Sequence, residues 1–455
     1  MVFSSLTFIV LFLPIFLFAY FCVPQRYVKM RNFVLLVFSL LFYAAGEPVW
    51  VLLLIFSAAS DCLIGLFMER FQGRWQSKVL LVLSMCCNLG VLVVFKYTEF
   101  LLGLVGINID FAPVLPIGIS FYTFQTMSYS IDLYRGRIKA QRNPIAFLTY
   151  VAMFPPLIAG PIIRYADIQH MLAARATSIS KVSEGVSRFA MGLGKKVIFA
   201  NHAGAVSSEL LAYGGSSTLA VWVGIIMFMF QIYFDFSGYS DMAIGLGKII
   251  GFDFLENFNY PYTAKTITDF WRRWHISLGT FFREYLYLPI GGNRKRAVFN
   301  IMFVWMITGL WHGASLNFVA WGMYFGVILL IEKYLLRKVL AKTPAFFSHV
   351  YCLGVVLFGW LLFYFTDAGQ FAHAVRNFLG LGGLLYDYRA VDLLLANLWI
   401  LPIFAMFSTR APIRILENVK VYLPVAEPLL NFAVLGVGVM LMIGQTFSPF
   451  IYFRF

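Results

Sequence analysis

Apolar runs close to the length of a bilayer crossing recur along this sequence from one end to the other. A spanning helix needs roughly 20 mostly apolar residues. Runs of this kind occupy residues 3–21, 115–133, 218–234, 298–311, 314–331, 350–365, 391–407 and 429–447. Composition agrees: the chain is 61% hydrophobic and 12% charged, with 49 phenylalanines, where a soluble domain carries about 25% charged residues. Only helices and closed barrels satisfy their backbone in lipid. Runs this long therefore predict an all-α polytopic integral membrane protein. The run at 3–21 lacks the basic leading end and small-residue cleavage site of a signal peptide. It is one of many such runs, and we read it as a retained helix. No long polar linker divides the chain, so residues 1–455 are read as one transmembrane domain. No repeat of 20–50 residues stands out. The halves show no inverted symmetry, which weighs against many transporter folds.

The net charge of +14 would suggest nucleic acid in a soluble chain. Here it reads as basic loops facing anionic lipid on the cytoplasmic side, and no nucleic-acid partner is expected. The five cysteines form no CxxC pair and four lie in or beside apolar runs. They predict neither a metal site nor a disulfide framework. Three basic clusters fall between early runs: Arg26, Lys29 and Arg31; Arg70, Arg74 and Lys78, after a hairpin turning at Glu47 and Pro48; and Arg135, Arg137, Lys139 and Arg142. The positive-inside rule places all three in the cytoplasm. The N-terminus and residues 97–113 then lie outside. The next cluster, Arg164, Arg175, Lys181 and Arg188, follows after a single apolar run containing "MFPPLIAGP". Two adjacent prolines with Gly160 and Pro161 cannot occupy one regular helix. We expect a re-entrant segment, with irregular backbone surrounded by protein and a hollow in the core.

Three further segments carry polar chemistry. In "QIYFDFSGYSDMAIGLG", Asp235 and Asp241 adjoin an apolar run. Intramembrane carboxylates by default mark a functional or buried polar site; a helix cap near the interface is the other reading, and both stay open. Just ahead of "WRRWHISLGTFFREYLYLPIGGNRKR", Thr266 and Asp269 fit a capping box. A helix from there puts Arg272, His275 and Gly279 on one face and Trp271, Trp274 and Leu278 on the next. The closing "PIGGNRKR" breaks it into a basic, Gly-rich loop. That loop could hold phosphate; on composition alone a plain cytoplasmic basic loop is the better reading. In "TGLWHGAS", Gly309 and Gly313 bracket His312 at a spacing that allows close helix approach. A lone histidine in an apolar helix is often a hydrogen-bonded core residue. Two histidines, each next to a tryptophan, suggest more, because a buried imidazole stays neutral and can take a hydroxyl proton during acyl transfer. No GxxxxGK[ST], HExxH or GxSxG motif is present, so the chemistries those motifs carry lack their residues.

These segments, together with "LPIGISFYTFQTMSYSIDLYRG" from Leu115, "FPPLIAGPIIR" from Phe154 and "GLWHGASLNFVAWG" from Gly309, resemble the membrane-bound O-acyltransferase (MBOAT) family in its order. The forms are closest to its bacterial polysaccharide O-acetylation branch, typified by the integral-membrane subunit of alginate O-acetylation. The resemblance implies about a dozen transmembrane or re-entrant helices around a central tunnel. It implies that His312 matches the family's catalytic histidine and His275 its second conserved polar position. Trp271, Arg272, Trp274, Arg294, Trp311, Asp235 and Asp241 are the accompanying candidates for donor or substrate contacts. It further implies acetyl-CoA as a cytoplasmic donor, with no permanently bound cofactor, in the cell membrane. The acetyl group would reach an extracytoplasmic polysaccharide through a serine-hydrolase-like acetyltransferase partner. D-alanyl transfer to teichoic acid from a carrier protein, or proton-coupled transport, are the alternative functions.

Overall fold

The computed structural model describes residues 2–107, 115–444 and 450. The expected outside loop at 97–113 and the run at 429–447 lie partly outside the described residues. Among the described residues the secondary structure is helical, with no strand. Six of these helices are long and apolar enough to cross a membrane: Trp50–Arg70, Trp75–Leu104, Thr218–Ile249, Leu316–Lys342, Ala345–Tyr364 and Ala426–Ile443. Many of their large apolar side chains are exposed, Leu52, Phe56 and Val82 among them. Contiguous exposure of this kind belongs to a surface bathed in lipid, and the chain is a multi-pass membrane protein. The run expected at 391–407 is broken into Tyr388–Asn397 and Ile400–Phe407, bent by 60°. Pro402 explains the break: it has no N–H to bond back to Leu398, and its ring crowds that carbonyl.

The chain divides into two compact units, Met1–Phe189 with Tyr239–Glu256, and Ala190–Gly238 with Asn257–Phe455. In the first unit a buried polar network ties three helices together. Asp61 on the Trp50–Arg70 helix accepts from Ser84 at 2.6 Å and Asn88 at 2.7 Å, both on Trp75–Leu92. The Ser130 hydroxyl lies 2.9 Å from Ser84 Oγ, which accepts from it, and Thr126 donates to Asn88 at 2.7 Å, both from Ile119–Tyr134. Apolar helices slide easily past one another in lipid; partnered polar groups fix one register.

The "MFPPLIAGP" segment is irregular and buried, as expected. After Pro144–Ala152 the chain makes one short turn, Phe154–Leu157, and is not helical again until Tyr165. Its backbone is served by protein: Phe154 N–H donates to Ser39 Oγ at 3.1 Å, and Ile163 O accepts from the Tyr150 hydroxyl at 3.0 Å. Phe154 packs among Phe12, Phe16 and Phe42, with ring centroids 5.1–5.5 Å away.

The Thr218–Ile249 helix is 32 residues long, about 48 Å at 1.5 Å per residue. It runs unbroken through Asp235 and Asp241, so neither carboxylate caps a helix; this removes one of the two readings. In the second unit the Ala297–His312 and Leu316–Ile331 helices form a tight hairpin. A Cβ on Gly309 would lie 2.1 Å from Phe318 O, and one on Gly322 would lie 2.2 Å from Trp305 O. The close approach read from the glycine spacing is present.

Candidate functional site

The "WRRWHISLG" segment is not one helix. Ile267–Arg273 ends, Trp274 is extended, His275 adopts φ 44° and ψ 55°, and Ile276–Phe282 begins anew. The expected single face of Arg272, His275 and Gly279 is thereby overturned. Nothing local forces the break, since every residue there tolerates a helix. Asn257 does: its carbonyl takes the Ile276 N–H at 2.9 Å, and its side-chain Oδ1 takes the Ser277 N–H at 3.2 Å and the Ser277 hydroxyl at 2.9 Å. A non-glycine residue in the left-handed region is held there by its surroundings, and here the surroundings are Asn257.

The start of the first helix is fully accounted for. Thr266 Oγ1 accepts from Asp269 N–H at 3.0 Å, the cap expected from sequence. The two preceding N–H groups, of Ile267 and Thr268, donate to the buried Glu332 carboxylate at 2.6 and 2.9 Å. Thr268 Oγ1 adds a third bond to it at 2.7 Å.

His275 is 2% exposed. Its Nδ1 lies 3.1 Å from Asn257 Oδ1. The Ser277 N–H donates to that same atom, which identifies it as the amide oxygen, and an oxygen can only accept. Nδ1 therefore carries the hydrogen, and Nε2 keeps a lone pair in the neutral ring. Nε2 is buried with no hydrogen-bond partner among the described residues. Burial, then the neighbouring His312, hold this imidazole well below the ordinary histidine value. His275 lies outside the six candidate spans. The ring is flanked by Phe236 at 4.6 Å and Trp311 at 5.8 Å. His312 ends the Ala297–His312 helix and packs on Trp311, Trp321 and Phe363, with centroids 4.8, 5.0 and 5.4 Å away.

Both histidines line one cavity of about 890 Å³ in the second unit. Of the other candidates, Trp271, Arg272 and Trp274 line it too. Four do not. Trp311 is buried against both histidine rings. Arg294 is exposed on the turn, which reaches the cavity through Asn293 instead. Asn293 Oδ1 accepts there from Lys333 Nζ at 2.6 Å and from the Tyr287 hydroxyl at 2.7 Å. Asp235 is buried in an ion pair with Lys196 at 2.6 Å. Asp241 belongs to the first unit and pairs with Arg188 at 2.7 Å. The sequence reading missed Lys265, Arg283, Lys333 and Arg337, which with Arg272 give the lining five cations. It also missed Asn257 and Glu332. Glu332, a carboxylate at the end of an apolar run, carried a legible signal; Asn257 carried none.

The lining combines apolar and aromatic walls, Leu278, Ile301, Val304 and Trp305 among them, with the five cations and one carboxylate, Glu332, which is occupied by the helix N–H groups of Ile267 and Thr268. Such a site accommodates an anionic molecule with an uncharged reactive end, and offers that end a neutral imidazole base. Comparison with known proteins leads to the same chemistry. The pattern of the membrane-bound O-acyltransferase family matches residues 137–369. A probable alginate O-acetylase of Azotobacter vinelandii is 42% identical over 378 residues, 80% of this chain and 75% of that protein. A peptidoglycan O-acetyltransferase of Helicobacter pylori is 30% identical over 432 residues, 84% and 81% of the two chains. A teichoic acid D-alanyltransferase of Bacillus subtilis is 30% identical over 234 residues, 47% and 58% of the two chains. The chain belongs to the membrane-bound O-acyltransferase family and is an integral-membrane O-acyltransferase.

Proposed function

We propose that the chain moves an acetyl group from cytoplasmic acetyl-CoA towards an extracytoplasmic polysaccharide. The observation that carries this is the cavity joining His275 and His312 to five cations. The cations suit the donor's phosphates, and the apolar walls suit its pantetheine arm and thioester. His312 is the general base. An acceptor hydroxyl attacks the thioester carbonyl and its proton passes to His312. The C–S bond breaks, and the leaving thiolate takes a proton back, giving an ester and free CoA thiol. His312 stands at the carboxyl end of its helix, where the peptide dipoles favour the positive charge that this step creates. His275 assists. With its hydrogen on Nδ1 it has no N–H at Nε2 to polarise the carbonyl, so it acts as an acceptor that orients the hydroxyl or the His312 ring.

The acceptor lies on the far side of the cell membrane and is reached through a serine-hydrolase-like partner; alginate-like, cellulosic and cell-wall glycans all fit. D-alanyl transfer from a carrier protein is the rival reading; the greater coverage of both acetylating relatives, and the greater identity of the alginate one, supports acetyl transfer over it. The test is transfer of label from acetyl-CoA by purified protein. General-base catalysis contributes about 10² to 10⁴ in rate, and His312→Ala is expected to lose activity on that scale while still folding. His312→Gln keeps a hydrogen-bonding group but no useful base and is expected to lose as much. Turnover near wild type in His312→Gln would return this histidine to a packing role.

A further inference from the structure

The first unit holds a pair of buried arginines for which acyl transfer has no use. Arg31, in the first turn of Val28–Ala44, is 2% exposed, and Arg175, just past Tyr165–Ala173, is 8% exposed. Their guanidinium carbons lie 4.9 and 5.8 Å from the centre of the same Tyr20 ring. Arg175 also covers the Phe252 ring at 4.4 Å.

Every hydrogen bond that these guanidiniums make goes to a neutral acceptor. Arg175 Nε donates to the Tyr20 hydroxyl oxygen at 3.0 Å and to Ile250 O at 3.2 Å. Its Nη1 donates to Asn32 Oδ1 at 2.5 Å and to Met171 O at 3.2 Å. Arg31 makes one bond, from Nε to Val23 O at 2.9 Å. Arg31 Nη1 and Arg175 Nη2 are buried and unpartnered among the described residues. Neither arginine forms an ion pair with a carboxylate there. Arginine does not lose its charge in proteins, and a buried charge without a counter-charge is strongly unfavourable. Two of them against one ring add their mutual repulsion.

An anion against the unpartnered nitrogens would offset this cost. Planar guanidinium forks match an oxyanion with several oxygens, phosphate above all. The surroundings fit a membrane boundary. Arg26 and Lys29 are exposed on the same short stretch as the exposed Phe21, Tyr27, Met30 and Phe33, a mixture of basic and aromatic side chains typical of the headgroup level.

We propose that Arg31 and Arg175, across Tyr20, form a binding site for a phosphate group, carried by an anionic phospholipid or present as free phosphate. The test uses the full chain in a phosphate-free maltoside detergent, stripped of lipid. Inorganic phosphate and phosphatidylglycerol are added in separate arms, and binding is read by native mass spectrometry and by the shift in Tm. Arg31→Gln is the main variant, because Arg31 makes only one internal hydrogen bond where Arg175 makes four, so fewer internal partners are lost with it. It is expected to weaken binding by about tenfold or more, the scale of one charge-assisted hydrogen bond. Arg31→Lys keeps the charge without the fork and is expected to fall between. Binding of phosphatidylglycerol alone identifies a lipid headgroup; binding of inorganic phosphate as well identifies free phosphate. If neither probe binds wild-type protein, or if both bind Arg31→Gln or Arg31→Lys as tightly as wild type, the proposal is overturned.

Discussion

At the scale of single residues, His275 carries the most information. Its left-handed backbone and fixed Nδ1 hydrogen both trace to Asn257, 18 positions earlier in the sequence. The histidines themselves were legible, because each stands beside a tryptophan next to apolar sequence. Their roles were less so, since a tautomer depends on a partner that no local pattern names. The burial of His275 has a consequence for stability. Its imidazole is held below the ordinary value, so below pH about 6.5 the unfolded chain binds a proton that the folded chain refuses. Stability rises with pH wherever the unfolded state holds more protons. The contribution of a neutral His275 is thus complete above about pH 6.5 and is lost as pH falls below it. The Tm of wild-type protein is expected to drop more steeply between pH 6.5 and 5 than that of His275→Gln, at constant ionic strength. Parallel slopes would mean that the folded protein protonates His275 freely.

At the scale of elements, the sequence named the apolar helices well and the joints poorly. The helices at 297–312, 316–331 and 345–364 begin and end close to the expected runs. Hydrophobic length is a local property, and these helices express it directly. The break at Trp274 and His275 was not legible, because it is imposed by Asn257 rather than by a glycine or proline. The break at 398–399 carried a signal in Pro402. The same distinction applies to the Ile267–Arg273 helix. Its Thr266 cap could be read locally, whereas the Glu332 carboxylate that takes its first two N–H groups arrives from 65 residues away. Glu332→Gln leaves one oxygen and turns an amide N–H₂ towards donors. A mismatched buried donor costs about 1–3 kcal/mol. The variant is therefore expected to show a lower Tm. Because Trp271 and Arg272 ride on this helix, it is also expected to show a severalfold higher KM for the acyl donor. If Tm and KM both match wild type, Glu332 is not what holds the helix in place.

At the scale of the whole molecule, composition and hydropathy settled the class, and charge bias predicts an orientation. The exposed surface of the helices is apolar because lipid replaces water there, so the count of charged residues falls and those that remain gather in loops. The cavity's cations, Lys265, Arg272, Arg283, Lys333 and Arg337, join the three basic clusters in the count. The proposed acetyl-CoA donor predicts that both groups face the cytoplasm, and the positive-inside rule predicts the same of the basic loops. Three exposed positions report on this: Gln72 and Lys139 in early loops, and Arg294 on the turn beside the cavity. Cys22, Cys86 and Cys87 are exposed and are first replaced by serine. Gln72→Cys, Lys139→Cys and Arg294→Cys are then each expected to resist an impermeant thiol reagent in intact cells and to react once the membrane is opened. Labelling of all three from outside would reverse the orientation. Labelling of Arg294→Cys alone would part the cavity's cations from the early loops, and the donor would then have to enter from outside, where acetyl-CoA is not made.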